Sequence, residues 1–287
     1  MPVTTEDLRP LMLSIAYRMV GSFSEAEDLV QEAYLRYHEA GDDVKSPKAY
    51  LSTVTTRLAI DHLRSARVRR EQYTGTWLPE PLLADPAPDA AARAETADTL
   101  SLALLVVLET LSPVERAVFL LRDVFDYSYA EIAEIVGKSE ENCRQLASRA
   151  RRHVEERSPR FEPSREQRDE LSRRFLAAVT DGDTDRLVEM LAKDAAFYGD
   201  GGGKAQAIPK PLHGDVKVAR LLSGLARVAR RDGYTLRPAE VNGQPGALSF
   251  YPDGRLLGVL AFDVVDGRIQ TIRSIVNPDK IAHITSL

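Results

Sequence analysis

The chain has 287 residues, enough for two or three domains with cores of their own. Its net charge of −5 excludes a globally basic nucleic-acid binder, so any DNA-binding surface must be local. A single cysteine, Cys143, excludes an internal disulfide framework and a cysteine-rich zinc site, and neither a metal nor a cofactor is expected. The opening MPVTTEDLRP lacks the basic, apolar, small-residue order of a secretory signal. The longest apolar run, Leu102–Leu108, is far too short to span a bilayer, so a soluble cytoplasmic chain without membrane contact is expected.

Residues 5 to about 72 read as all helix. Leu8, Leu11, Met12, Ile15, Ala16 and Met19 form one amphipathic stripe, closed by Gly21. Ser24-Glu25-Ala26-Glu27 predicts a capping box for a second helix, whose inner face is Ala26, Leu29, Val30, Ala33, Tyr34 and Tyr37. Its outer face carries Glu25, Asp28, Gln31, Glu32, Leu35 and Arg36, a mostly acidic surface that reads as solvated or as a partner-docking face. After a polar loop at 41–45, Ser46-Pro47 opens a long third helix to about Glu71. Tyr50, Leu51, Val54, Leu58, Ile60 and Leu63 supply its apolar positions. Its second half turns basic, with Arg57, His62, Arg64, Arg67, Arg69 and Arg70, and Asp61 and Ser65 interleaved; such a helix end suits phosphate and base contacts.

Residues 73–95 are rich in proline and alanine and read as a linker. Within it, Trp77-Leu78 is a large apolar pair that needs a surface to bury against. Helix is expected again from about Thr96. Ser112-Pro113-Val114-Glu115 and Ser128-Tyr129-Ala130-Glu131 are capping boxes, and Ser139 can cap a further helix just after Gly137. The helix from about Tyr129 to Val136, the Gly137 turn and the helix from about Glu140 predict a helix-turn-helix. Cys143, Leu146, Ala147 and Ala150 follow the i, i+3, i+4, i+7 rule and face inward, Cys143 as a small core residue. Arg144, Gln145, Ser148, Arg149 and Arg152 are left outward, and arginine and glutamine can fork onto guanine and adenine edges in the major groove.

Ser158-Pro159 and Glu162-Pro163 punctuate a boundary. A helix capped by Ser164 follows, then a short helix at 183–191, a strand at 194–200 and a helix at 215–231. Four more strands are expected at 234–241, 247–251, 256–265 and 268–276, with Asp253-Gly254 and Asp266-Gly267 as hairpin turns. Helices followed by a curled antiparallel sheet predict an α+β cone. Tyr198, Asp200, His213 and Asp263 are the pocket candidates of such a cone, but none stands at catalytic spacing, so no enzyme is expected. Asp200-Gly201-Gly202-Gly203-Lys204 lacks the strand-to-helix context of a phosphate loop. Its glycines predict backbone that another segment approaches closely.

AEDLVQEAYLR, the basic STVTTRLAIDHLRSARVRRE and LSPVERAVFLLRDVFDYSYAEIAEIVGKS stand in the order of the extracytoplasmic-function sigma factors of the sigma-70 family. The chain resembles that family over about residues 1–157, which divides it into region 2 (1–72), a linker (73–95) and region 4 (96–157). The resemblance implies that Asp28, Gln31 and Glu32, with Leu35, dock on the coiled coil of the β′ subunit of core RNA polymerase, β being a further partner of the chain. It implies that Arg57, Asp61, Arg64, Arg67 and Arg70 meet the −10 element of promoter DNA, although the family often carries Asn where this helix has Ile60-Asp61. It assigns Arg144, Gln145, Ser148, Arg149 and Arg152 to the −35 element.

The remaining residues, 164–287, resemble a SnoaL-like domain of the NTF2-like superfamily, and the combination resembles the J-type subgroup. That subgroup carries a WLPEP-like linker, a DGGGK loop and an NPDK tail, here Trp77–Pro81, Asp200–Lys204 and Asn277–Lys280. It implies a tail that tunes polymerase binding in cis. Trp77, Leu78 and Pro79 are expected to lie against Asp200, Gly201, Gly202, Gly203 and Lys204, with Asn277, Pro278, Asp279 and Lys280 in the same set. A small-molecule ligand in the cone and a monomeric free chain complete the expectation. Two other readings are less favoured: a one-component regulator with a ligand-sensing cone, which would bind duplex DNA as a symmetric dimer and against which two separate DNA modules and a polymerase-docking helix argue, and an enzyme with a helical partner domain, against which the missing catalytic constellation argues.

Overall fold

The computed structural model describes residues 6–71, 73–83, 101–156 and 165–284, the side chains of 42, 67–71 and 165 excepted. Its contacts gather into two units, residues 1–72 with 104–158, and residues 73–103 with 159–287.

In the first unit a short 3-10 turn leads into α1 (Arg9–Val20), followed by α2 (Phe23–Ala40) and α3 (Pro47–Glu71). Gly21 ends α1 in the left-handed region at φ 72°, its N–H on the Tyr17 carbonyl. That turn leaves Ser22 extended, so Ser22 caps α2 by accepting from Glu25 N. The cap therefore lies two residues before the Ser24 that the capping-box pattern pointed to, and Ser24 is already helical. Met12, Ile15, Met19, Val30, Leu51 and Ala59 are buried between the three helices.

The same unit continues with α4 (Leu102–Leu108), α5 (Pro113–Phe119), a π-helical turn at Leu120–Val124, α6 (Tyr129–Val136) and α7 (Glu140–Glu155). Both expected capping boxes form, at Ser112/Glu115 and Ser128/Glu131. Gly137 closes α6 at φ 65° and Ser139 caps α7 through Asn142 N. Val118, Leu121, Tyr127, Ile132, Ile135, Cys143, Leu146 and Ala147 make the core that sets the angle of this helix-turn-helix.

The second unit holds α8 (Arg165–Asp181), α9 (Thr184–Met190), β1 (Leu191–Asp200), β2 (Leu212–His213), α10 (Asp215–Asp232), β3 (Thr235–Val241), β4 (Gln244–Phe250), β5 (Leu256–Val265), β6 (Arg268–Ile275) and α11 (Pro278–Ile281). The sheet order is β2-β1-β6-β5-β4-β3. Every neighbouring pair is antiparallel except β1 and β6, which run parallel with Phe197 opposite Ile272. The sheet is thus mixed and not antiparallel throughout, because three hairpin-linked strands bring β6 back beside β1 in the same direction. His213 lies in the short edge strand β2. One sheet face packs against the helices through Phe175, Phe262, Leu187, Leu191, Phe197 and Ile272, with the Phe175 and Phe262 rings edge-to-face at 5.4 Å.

Candidate nucleic-acid interface and linker dock

On α7 the caps fix the helix start and the apolar row fixes its rotation. Cys143, Leu146, Ala147 and Ala150 are buried, while Arg144, Gln145, Ser148, Arg149 and Arg152 are all exposed. Arg144 is held by Glu140 at 2.7 Å and lies over the Tyr129 ring, so its guanidinium is already oriented. Arg149 reaches Glu115 at 3.9 Å. Burial, first, pushes the Cys143 thiol above its ordinary range, which suits a core side chain.

On α3, Asp61 and Arg64 are exposed and paired with each other at 3.0 Å, whereas Ile60 is buried. The side chains of Arg67 and Arg70 lie outside the described residues. Arg57 is placed otherwise than a free DNA contact would be. Its Nε donates to the Ile135 carbonyl and its Nη2 to the Glu134 carbonyl, each at 2.8 Å. Those are last-turn carbonyls of α6, which have no partner within their own helix. Nearby, the Ser52 and Tyr127 hydroxyls share a buried hydrogen bond of 2.6 Å. Arg116, 1 % exposed, donates through Nε to the Arg18 carbonyl and pairs with Glu109, and burial pulls its pKa down to about 9.

On α2, Asp28 and Gln31 are exposed, Glu32 pairs with Arg36 at 2.9 Å, and Leu35 is 53 % exposed. A leucine more than half exposed beside carboxylates is the feature of this helix that folding alone does not require.

In the second unit, residues 73–83 lie along the C-terminal domain, and Asp200 is the centre of that dock. Its fully buried carboxylate accepts from Tyr73 Oη at 2.5 Å, Gly202 N at 3.1 Å, Leu78 N at 2.8 Å and Lys280 Nζ at 2.7 Å. Lys280 also donates to the Leu78 carbonyl, and its ammonium lies 4.2 Å from the Trp77 ring centroid and 4.9 Å from that of Tyr73. Leu78 and Pro79 are buried. Gly202 and Gly203 adopt φ 59° and 73°. A Cβ on Gly202 would lie 2.3 Å from Asn277 Nδ2 and 3.0 Å from Tyr73 Oη, and one on Gly203 would touch Thr74. Gly201 is buried, with Ala205 O where a Cβ would go. Asn277 caps α11, Pro278 opens it, and Asp279 pairs with Lys204. Burial, then the Asp200 hydrogen bond, pushes the Tyr73 phenol well above its ordinary range.

The dock extends past the residues that the motifs pointed to. Leu82 exchanges hydrogen bonds with Asn242, Leu83 bridges Val241, and His283 Nε2 meets the Pro81 carbonyl at 2.9 Å. Tyr73 and Asn242 were not among the sequence candidates, although Asn242-Gly243 is itself a hairpin signal.

Two family descriptions match the chain, "Sigma-70 region 2" over residues 5–69 and "Sigma-70, region 4" over residues 101–154. The ECF RNA polymerase sigma factor SigJ of Mycobacterium tuberculosis is 40 % identical, over 96 % of this chain and 91 % of that one. The chain belongs to the ECF RNA polymerase sigma factors. A probable ECF sigma factor SigI of Mycobacterium tuberculosis is 34 % identical over 95 % of this chain and 92 % of its own length. The crystal structure of M. tuberculosis SigJ superposes with a TM-score of 0.77, at 38 % identity, covering 96 % of both chains. As a sigma factor the protein takes core RNA polymerase and promoter DNA as partners, and it acts in promoter recognition and transcription initiation. Among the described residues no helix is long and apolar enough to cross a membrane.

Proposed function

We propose that this sigma factor is regulated in cis by its C-terminal domain, which acts by holding linker residues 73–83. The four donors on Asp200 carry this reading, because they join all three sequence motifs at one buried carboxylate. A tethered segment meets its dock at an effective concentration near millimolar, so even a weak interface stays largely closed. We assign α2, through Asp28, Gln31, Glu32 and Leu35, to the β′ subunit of core polymerase, with β as a further partner of the chain. We assign α3 to the −10 element and the outward row of α7 to the −35 element.

Catalysis in the cone finds no support in its carboxylates. Asp200 has its acceptor sites occupied, and Asp263 is paired with Arg273 at 2.5 Å. The core between sheet and helices is filled by apolar side chains. We therefore place the small ligand outside it, in the groove of about 380 Å³ between α8 and the β3–β4 hairpin, where Arg168, Ser172, Leu176 and Pro238 line the walls.

The test is run-off transcription with core RNA polymerase on a genomic promoter library. It compares the full chain with chains ending after Arg157 and after Ala205. Different outputs are expected between the forms. Equal output from all three would end the regulatory reading, and silence from all three would count against the promoter assignments.

A further inference from the structure

We propose that the outer face of α10 is a docking site for an acidic amphipathic helix of a partner protein. α10 carries two apolar rows, and the fold uses only one of them. Val218, Ala219 and Leu222 belong to the core shared with the sheet. Leu221, Gly224, Leu225 and Val228 repeat the i, i+3, i+4, i+7 spacing on the outer side. Leu221 is half-buried, whereas Leu225 is 49 % and Val228 40 % exposed. Burial within the chain therefore does not account for this second row.

Gly224 points the same way. It stands in the middle of an 18-residue helix, where only proline is a poorer helix former than glycine. Nothing within the chain requires it, since a Cβ there would meet no atom within 4 Å. A gap of this kind on an exposed helix lets a second backbone come close, with the Leu225 and Val228 side chains reaching around it.

Charge selects the partner. Lys217, Arg220, Arg227 and Arg231 are exposed and run beside the apolar row on one side of the helix. Arg231 is paired with Asp232, and no ion pair holds the other three cations among the described residues. This face is thus basic in a chain whose net charge is −5. A helix that lays leucines or valines on the row and carboxylates beside them would match it in both respects. A second copy of α10 would bring cation onto cation. A membrane surface has no use for the gap at Gly224, and the row lacks the Trp or Phe that seats an interfacial helix.

The test uses the full-length chain and a synthetic acidic peptide of about five helical turns, with leucines at i, i+3, i+4, i+7 and glutamates beside them, read by fluorescence anisotropy. Saturable binding is expected, and a peptide of the same composition in scrambled order should bind at least about tenfold more weakly. Leu225→Ala should weaken binding about fivefold, as for a leucine that is half covered by the partner. Gly224→Ala separates docking from folding. It should raise the thermal midpoint, because alanine favours helix, and at the same time weaken the peptide. Arg220→Gln with Arg227→Gln should weaken binding and flatten its dependence on salt. Equal binding of ordered and scrambled peptides overturns the proposal, as does a Gly224→Ala chain with a higher midpoint and unchanged binding. Two further outcomes also overturn it. Binding to vesicles of equal phosphatidylglycerol and phosphatidylcholine, lost in Leu225→Ala and seen without peptide binding, would assign the face to a membrane. A dimer in sedimentation that Leu225→Ala disperses would assign it to a second copy.

Discussion

The Lys280 ammonium lies 2.7 Å from Asp200 Oδ2, with the lysine side chain 8 % exposed and that of Asp200 fully buried. Such a pair is weak evidence for net stability, yet removing one partner strands a charge in a dry site. Asp200→Ala or Lys280→Ala should therefore cost about 3–5 kcal/mol in urea unfolding of the full chain. The double neutral variant Asp200→Asn with Lys280→Met should cost less than either alone. Single-variant losses under about 1 kcal/mol would show that the pair is not the centre of the dock.

Trp77 gives the dock the nearer of its two cation–π contacts with Lys280. Truncation to alanine removes about 0.5–2 kcal/mol. The docked-to-released ratio should then fall by about two- to thirtyfold. Run-off yield should change in the full chain and not in a chain ending after Arg157. An identical response in both chains would mean that Trp77 acts through something other than the dock.

The Tyr73 phenol is raised by burial and by its hydrogen bond to Asp200. A raised pKa favours the protonated folded form. Its contribution is therefore complete below about 10, the pKa of a free tyrosine, and is lost as pH rises through the higher docked value. Absorbance titration at alkaline pH should show a late tyrosine ionisation that coincides with release of the linker. In Asp200→Asn that late step should move earlier, and an unmoved step would assign it to another tyrosine.

In the helix-turn-helix, Ser128→Ala removes a complete capping box and should cost about 1 kcal/mol in unfolding. Hydrogen bonds from Ser128 hold the Glu131 carboxyl below its ordinary range. The cap's ionic share is therefore present at neutral pH and fades as pH falls through that lowered value. In Ser128→Ala the acid-side decline in stability should be shallower, and an equal slope would show that Glu131 does not report on the cap.

On the reading face, Gln145→Ala should cost about 1–3 kcal/mol on the preferred −35 sequence and relax the choice at one base pair. Arg152→Ala, on the proposal that this residue holds a phosphate, should weaken all sequences alike and lower the salt slope by about 1. Holoenzyme binding to −35 variants at two salt concentrations separates these outcomes, and a Gln145 effect equal on every sequence would remove it from base reading.

Local signals carried most of the helical half. Caps at Ser112, Ser128 and Ser139 and the glycine at 137 are written in residues a few positions apart, and the inward row of α7 follows from spacing. The Ser24 box failed because two serines two positions apart, Ser22 and Ser24, compete for one cap, and the turn at Gly21 decides between them. The parallel pairing of β1 with β6 was not legible, since no local pattern encodes which distant strand lies alongside. The same holds for Arg57. Its basic neighbourhood is visible in sequence, but the two carbonyls it meets lie almost eighty residues away. The glycines at 201–203 were legible as a close-approach surface, while the Tyr73 hydroxyl and the Asn277 amide that approach them could be found only in three dimensions.

Anchoring residues 73–83 also changes the topology of the chain. The C-terminal domain holds the polypeptide at the strap and again where α8 begins at Arg165. Everything between Leu83 and Arg165, region 4 included, is therefore a loop closed at its base without a covalent crosslink. The closure entropy of a flexible loop grows only as the logarithm of its length, each doubling adding about 0.6 kcal/mol. The strength of the base contacts, and not the length of the loop, should therefore set how often it opens.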